Sequence, residues 1–369
     1  MRAGRGGGDR MTGDRGGAAR SAIERLGDKA GRAWPSIEAA ARLSAETRAR
    51  LAALLREEIP CDTSVVVFGS LARGEYTTGS DLDWTLLIDG QADEGHFSQV
   101  QAITKILREA RFHEPGPTGV FGNVAFSHPI LHQIGGQEDT NKNTTQRILL
   151  LLESLAIGKP DAHERVLRLV LSRYVEDDRG LHYGSKREII PMFLLNDIVR
   201  YWRTVAVDFV YKQRERSSGW ALRNAKLRMS RKLIFVSGLI TCFGFELFGK
   251  DRAAWAGDGV ISTPALVRFL RERIRVTPLE SLAEVLLRPS ISAETARALF
   301  DSYDAFLALL SNEEERGRLK QLPLDDYLGH DPTFKRVRDI GRAFQDGLNR
   351  LFFKEDDELR ELIQRYGVF

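Results

Sequence analysis

"VVVFGSLARGEYTTGSDLDWTLLIDG", Val65 to Gly90, holds the pattern that decides how the chain is read. An apolar, β-branched run ends in Gly69-Ser70; a polar loop follows, and Asp81 and Asp83 then enter a second apolar run, "LDWTLLI". Side chains of a strand alternate between its faces, so the two aspartates are expected on one face and Leu82 on the other. Neighbouring carboxylates repel, and burial raises the cost of ionising both unless a cation lies between them. A hard divalent cation such as Mg2+ or Mn2+ resolves the conflict, since it takes oxygen ligands from one or two carboxylates plus substrate phosphates. Gly69 lets the backbone approach a phosphate, while the Ser70 hydroxyl and the following N–H groups donate to its oxygens. A helix starting near Ser70 would aim its positive end at the same anion. The alternative is a β-turn followed by two exposed aspartates on an edge strand, and the flanking "VVVF" and "WTLLI" weigh against it.

The set formed by Gly69-Ser70, Arg73-Gly74 and Ser80-Asp81-x-Asp83 resembles the signature of the DNA polymerase beta-like nucleotidyltransferase superfamily. It looks especially like that of the minimal bacterial nucleotidyltransferases. The resemblance implies that Gly69 and Ser70 hold the phosphates of a nucleoside triphosphate. It implies that Asp81 and Asp83 are catalytic and bind the metal, with Arg73 and Ser80 supporting the site or touching phosphate. A nucleotidyltransferase domain followed by helices is also similar to bacterial enzymes related to protein-PII uridylyltransferases and glutamine synthetase adenylyltransferases. That second likeness rests on domain order.

Most members of the superfamily supply a third carboxylate from a later strand. The natural strand here, "VFGNVAFSH", has Asn123 and Ala125 in its interior and no acid. The nearest downstream acids are Glu138 and Asp139 in "IGGQEDTNKN". Either Asp139 or Glu138 completes the metal site, or the loop is polar and Asn143 or Thr144 caps the next helix.

The chain of 369 residues is long enough for two or three domains. Its net charge of +3 gives no global field for nucleic acid or a membrane, so anion binding must come from a local cluster. One candidate is "GWALRNAKLRMSRKLIF", Gly219 to Phe235, where Arg223, Lys226 and Arg231 fall near one helical face. Lys226 is the residue expected to meet the triphosphate from across a cleft; a solvated or ion-paired face is the alternative. In "PMFLLNDIVRYWR" the expected role of Asp197 is buried pairing with an arginine.

The expected architecture is α+β. Residues 1–17 form a Gly- and Arg-rich disordered tail and 18–59 an N-terminal helical segment, with Ser44 a candidate N-cap inside Ser36–Ile59. Residues 60–158 form a small mixed-sheet nucleotidyltransferase domain, and 159–369 a helical substrate-binding domain. Thr144 to Ile157 reads as helix throughout. Cys61 and Cys242 show no metal or redox spacing and are expected to be reduced, in a cytoplasmic protein. Leu233 to Gly249 is apolar but short and contains Glu246, which suits a buried helix better than a membrane span. His128 and His132 stand four apart without a third ligand, and His330-Asp331 lacks the partners of an HD hydrolase.

The expected activity is transfer of a nucleoside monophosphate from a triphosphate to an acceptor hydroxyl, with release of pyrophosphate. The acceptor (protein, small molecule or RNA) is open, as is the base. A nucleotide-sensing module without turnover and a toxin–antitoxin component are the competing readings.

Overall fold

The computed structural model describes residues 20–56, 62–116, 121–178, 189–215, 218–248, 262–324 and 330–367. The expected tail and Cys61 lie outside them. The fold is α+β, with a small mixed sheet followed by helices. Two helices, α1 (Ala22–Ala30) and α2 (Pro35–Leu54), precede β1 (Thr63–Phe68) and the single turn α3 (Gly69–Arg73). Then come β2 (Trp84–Ile88), α4 (Gly95–Glu109), β3 (Asn123–Phe126), α5 (Ser127–His132), α6 (Asn141–Leu152), β4 (Ser154–Ile157) and α7 (Asp161–Glu176). The helical part follows with α8 (Met192–Glu215), α9 (Trp220–Lys226), a π-helical turn (Leu227–Arg231) and α10 (Lys232–Phe248). It continues through α11 (Thr263–Ile274), α12 (Pro278–Leu286), α13 (Ala293–Ser311), α14 (Glu313–Gln321), α15 (Pro332–Arg350) and α16 (Asp357–Leu362).

The sheet order is β3-β2-β1-β4. β1 is antiparallel to both β2 and β4, while β2 and β3 run parallel in a register that sets Thr85 against Asn123. Alternation divides the sheet between two cores. Val66, Phe68 and Leu87 join the large helical core, whereas Val65, Val67, Leu86 and Ile88 pack with α2 and α4 on the other face. The apolar Leu233–Gly249 stretch is the buried α10 through Phe248, and no helix among the described residues is long and apolar enough to cross a membrane.

Two local expectations change, and one long-range contact is new. Helix α2 runs through Ser44 without a break, because the Ser44 hydroxyl donates to Ala40 O and accepts from Tyr76 N. The segment read as helix to Ile157 turns at Glu153 into β4, because Val65 to Phe68 of β1 offer it an open edge. The N-terminal helices are tied to the far end of the chain: Trp34 Nε1 donates to Asp301, and Asp304 accepts from the N–H groups of Ser36 and Ile37 at the start of α2. Asp331 of the His330-Asp331 pair is a cap, accepting from Phe334 N at the start of α15.

Candidate active site

The signature stretch folds as a strand, a left-handed glycine and a single helical turn. Gly69 sits at φ +67°, and a Cβ added there would lie 3.1 Å from Asp83 Oδ2. Glycine is therefore required twice, once by the backbone and once by the carboxylate. Asp81 and Asp83 do not lie inside β2; they form the extended approach to it, pinned by Phe68 N donating to Asp83 O and Leu82 N donating to His113 O. Alternation still holds across this approach, with Leu82 buried, Asp83 half-buried and Asp81 exposed.

Helices from the far side of the chain bring cations to the pair. Lys226 interacts electrostatically with Asp81 and Asp83, and Arg316 of α14 does so with Asp81. Arg316 is only 5% exposed and packs so closely on Gly79 that a Cβ there would lie 2.8 Å from its Nε, which has no hydrogen-bond partner. Among the described residues, the side chains of Asp81, Asp83, Lys226 and Arg316 form no hydrogen bond or ion pair with the protein, and neither does the Ser70 hydroxyl. Burial pushes the carboxyl of Asp83 up to about 6 against the pull of Arg231; Glu153 and Asp81 push in the same direction as burial. Burial likewise lowers Lys226 and Arg316.

The π-turn shapes this half of the site. Its hydrogen bonds run from i to i+5, and Lys226 at its start and Arg231 at its end both act electrostatically on Asp83. Arg231 is held by Glu153, whose Oε1 accepts from Arg231 NH1 at 3.0 Å while Oε2 accepts from Arg73.

Other expected site residues serve the frame. Arg73 is buried and spends its guanidinium on Glu75, at 2.9 and 3.0 Å, and on Glu153, which leaves nothing directed at phosphate. The Ser80 hydroxyl accepts from Thr77 N and contacts Thr77 Oγ1, closing the loop that precedes Asp81. Asp139 lies within another network. Its carboxylate receives Arg147 NH1 at 3.2 Å and NH2 at 3.0 Å, Arg200 NH1 at 3.2 Å and Gly135 N at 3.1 Å. Burial opposes its ionisation, but these donors hold it below the usual range. Asp197 pairs with the same Arg147 at 2.8 Å. The cap of α6 is Thr140, not Asn143 or Thr144.

Glu153 and Arg316 are the partners that sequence reasoning missed. Glu153 is the one acid in the run "RILLLLESLAI", and an acid there needs a cation to be buried. Arg316 carries no comparable signal in "NEEERGRLK".

A carboxylate pair approaching a strand beside a Gly-Ser turn, faced by unpaired cations, is suited to holding a polyphosphate and its counterion. Residues 48–116 match the family model described as nucleotidyltransferase domain. The match spans the end of α2 through α4 and includes Gly69, Ser70, Asp81 and Asp83; it supports nucleoside monophosphate transfer as the general chemistry. Glu153, Lys226, Arg231 and Arg316 lie beyond it. No curated protein matches the chain.

Proposed function

We propose that the chain is a divalent-metal-dependent nucleotidyltransferase. It moves a nucleoside monophosphate from a triphosphate to an acceptor hydroxyl, and uridylylation or adenylylation of a protein is one form this takes. The observation that carries the reading is the set of opposed charges, Asp81 and Asp83 against Lys226 and Arg316, with no hydrogen-bond or ion-pair partner among the described residues. The donor set suits Mg2+ or Mn2+. Asp83 is a poorly neutralised carboxylate whose ionisation an added dication would favour, and Asp81 adds a second oxygen donor on the same side. No group of three or more His, Cys, Asp or Glu side chains among the described residues is placed to hold a metal, so substrate phosphates would complete its coordination.

When bound, the ion supplies Lewis-acid stabilisation of charge on the phosphoryl oxygens. Asp81 and Asp83 hold it. The Gly69-Ser70 turn receives the phosphates through its N–H groups and the Ser70 hydroxyl. Lys226 and Arg316 balance the charge of the leaving pyrophosphate, and Arg231 is kept beside Asp83 by Glu153. The acceptor oxygen bonds to the α-phosphorus, the α–β bridging bond breaks, and the hydroxyl proton leaves to solvent.

The test is transfer of α-labelled nucleoside triphosphate to components of a bacterial lysate with Mg2+ or Mn2+, wild type beside Asp81→Ala and Asp83→Ala. Label that depends on both aspartates supports transfer and reveals the acceptor class. A second reading, nucleotide binding without turnover, is favoured by one observation. Asn123 and Ala125 of β3 pair with Thr85 and Leu87, on the face that Asp83 shares, and neither is an acid. Nucleotide binding with no label on any acceptor would select it.

A further inference from the structure

A second cavity lies behind the Arg73–Glu153 pair. It has a volume of about 260 Å³, and none of Asp81, Asp83, Lys226 or Arg316 lines it. Leu155, Leu167, Ile274 and Val276 give it an apolar wall between the sheet edge and the α11–α12 turn. The polar side is Arg48 of α2, His163 of α7 and Arg275 after α11.

The charges around it do not balance. Arg48 is half-buried and has no ion-pair or hydrogen-bond partner among the described residues. Burial alone lowers its pKa, with no acid nearby to oppose that. Glu164, also in the lining, is shared by Arg271 at 2.9 Å and Arg275 at 2.6 Å, so one carboxylate serves two guanidiniums. Glu153 has nothing left to offer, since both its oxygens are held by Arg73 and Arg231. His163 is buried and neutral at neutral pH, burial pushing it down to about 4, and its Nε2 lies 2.7 Å from Ser154 Oγ. With His163 neutral, the lining sets Arg48, Arg73 and Arg275 against Glu153 and Glu164, so the cavity carries a surplus of one positive charge beside an apolar wall, reinforced by Arg271 behind Glu164. It is too large for a bare oxyanion and is unlike the nucleotide cleft, which has carboxylates to hold a cation.

We propose that this cavity binds a small organic dianion, a phosphate monoester or a dicarboxylate, with its acidic head on Arg48 and its carbon body against Leu155, Leu167, Ile274 and Val276. A guanidinium fork suits either head group, and the aliphatic wall separates such a ligand from inorganic phosphate.

The test is calorimetric titration of the full chain with phenyl phosphate, glutarate and inorganic phosphate. The better of the two organic anions should bind at least about tenfold tighter than inorganic phosphate, the worth of burying its carbon body. Arg48→Ala should weaken that binding by about tenfold or more, and Arg48→Lys should restore part of it. Asp83→Ala should bind it like wild type, which separates this cavity from the nucleotide cleft whether or not the chain proves to be a transferase. Arg48 holds no partner among the described residues, so the melting temperature of Arg48→Ala should match that of wild type and confirm folding. Failure of both organic anions to bind below about 1 mM, or binding indifferent to Arg48→Ala, would overturn the proposal.

Discussion

Two groups of buried charge in this molecule are built from the same residue types and are finished differently. Around Arg147, which is 0% exposed, the donors and acceptors meet. Nε donates to Tyr174 OH, the terminal nitrogens reach Asp139 and Asp197, and Tyr174 OH donates to Asp197. Around Asp83 the charges face one another without closing: two carboxylates and two cations feel each other's fields and share no hydrogen bond. A closed network fixes a fold, and a new ligand would have to break it open. An open one leaves each group under-solvated, and a ligand bearing complementary charges relieves the strain. The same difference explains why Asp139, an acid in a loop that opens on Gly135 and Gly136, is a poor third metal ligand: Arg147 and Arg200 already hold its carboxylate.

The contrast can be broken most severely at the open cluster. Asp83→Ala or Asp81→Ala should reduce label transfer by about a thousandfold or more while leaving the melting temperature no lower than wild type. At the closed cluster the effects should exchange places. Arg147→Ala strands two buried carboxylates and should cost about 3–5 kcal/mol in urea unfolding, with nucleotide affinity kept by the protein that remains folded.

Asp83→Asn sharpens the comparison through pH. The Asp83 carboxyl titrates at about 6 in the fold against 3.8 as its ordinary value. The folded state therefore holds the proton more tightly, and wild-type stability falls as pH rises through that window. The asparagine variant should be more stable by up to about 3 kcal/mol above about pH 6, and the gain should vanish below about pH 4. Thermal melts at paired pH values check this. The smallest effects are expected from the cations: Lys226→Met or Arg316→Met should each weaken nucleotide binding by about tenfold without lowering stability, since neither loses a hydrogen-bond or ion-pair partner among the described residues.

Much of the open cluster is legible in the sequence, because Gly-Ser, Asp-x-Asp and their apolar flanks are local signals. The turn at Gly69-Ser70 forms and opens a helical turn where the sequence suggests, and Lys226 stands in a visibly basic helix. The partners that shape the cleft are not local. Arg316 reaches Gly79 from more than two hundred residues away, and no periodicity announces the π-turn between Lys226 and Arg231. Arg73 is a related case. Its place in the motif leaves open whether it supports the site or touches phosphate, and the buried Glu153, recognisable only once β4 is separated from α6, pairs with it together with Glu75. The helical part was readable as helices, but not the way α1 and α2 fasten to α12 and α13.

The most direct measurement is the melting temperature of wild type and Asp83→Asn, each with and without Mg2+ and a non-hydrolysable nucleoside triphosphate. The open cluster predicts that the variant melts higher alone at neutral pH, and that only wild type gains substantially from metal and nucleotide together. A variant that melts lower alone, or that gains as much as wild type from the metal–nucleotide pair, would contradict it.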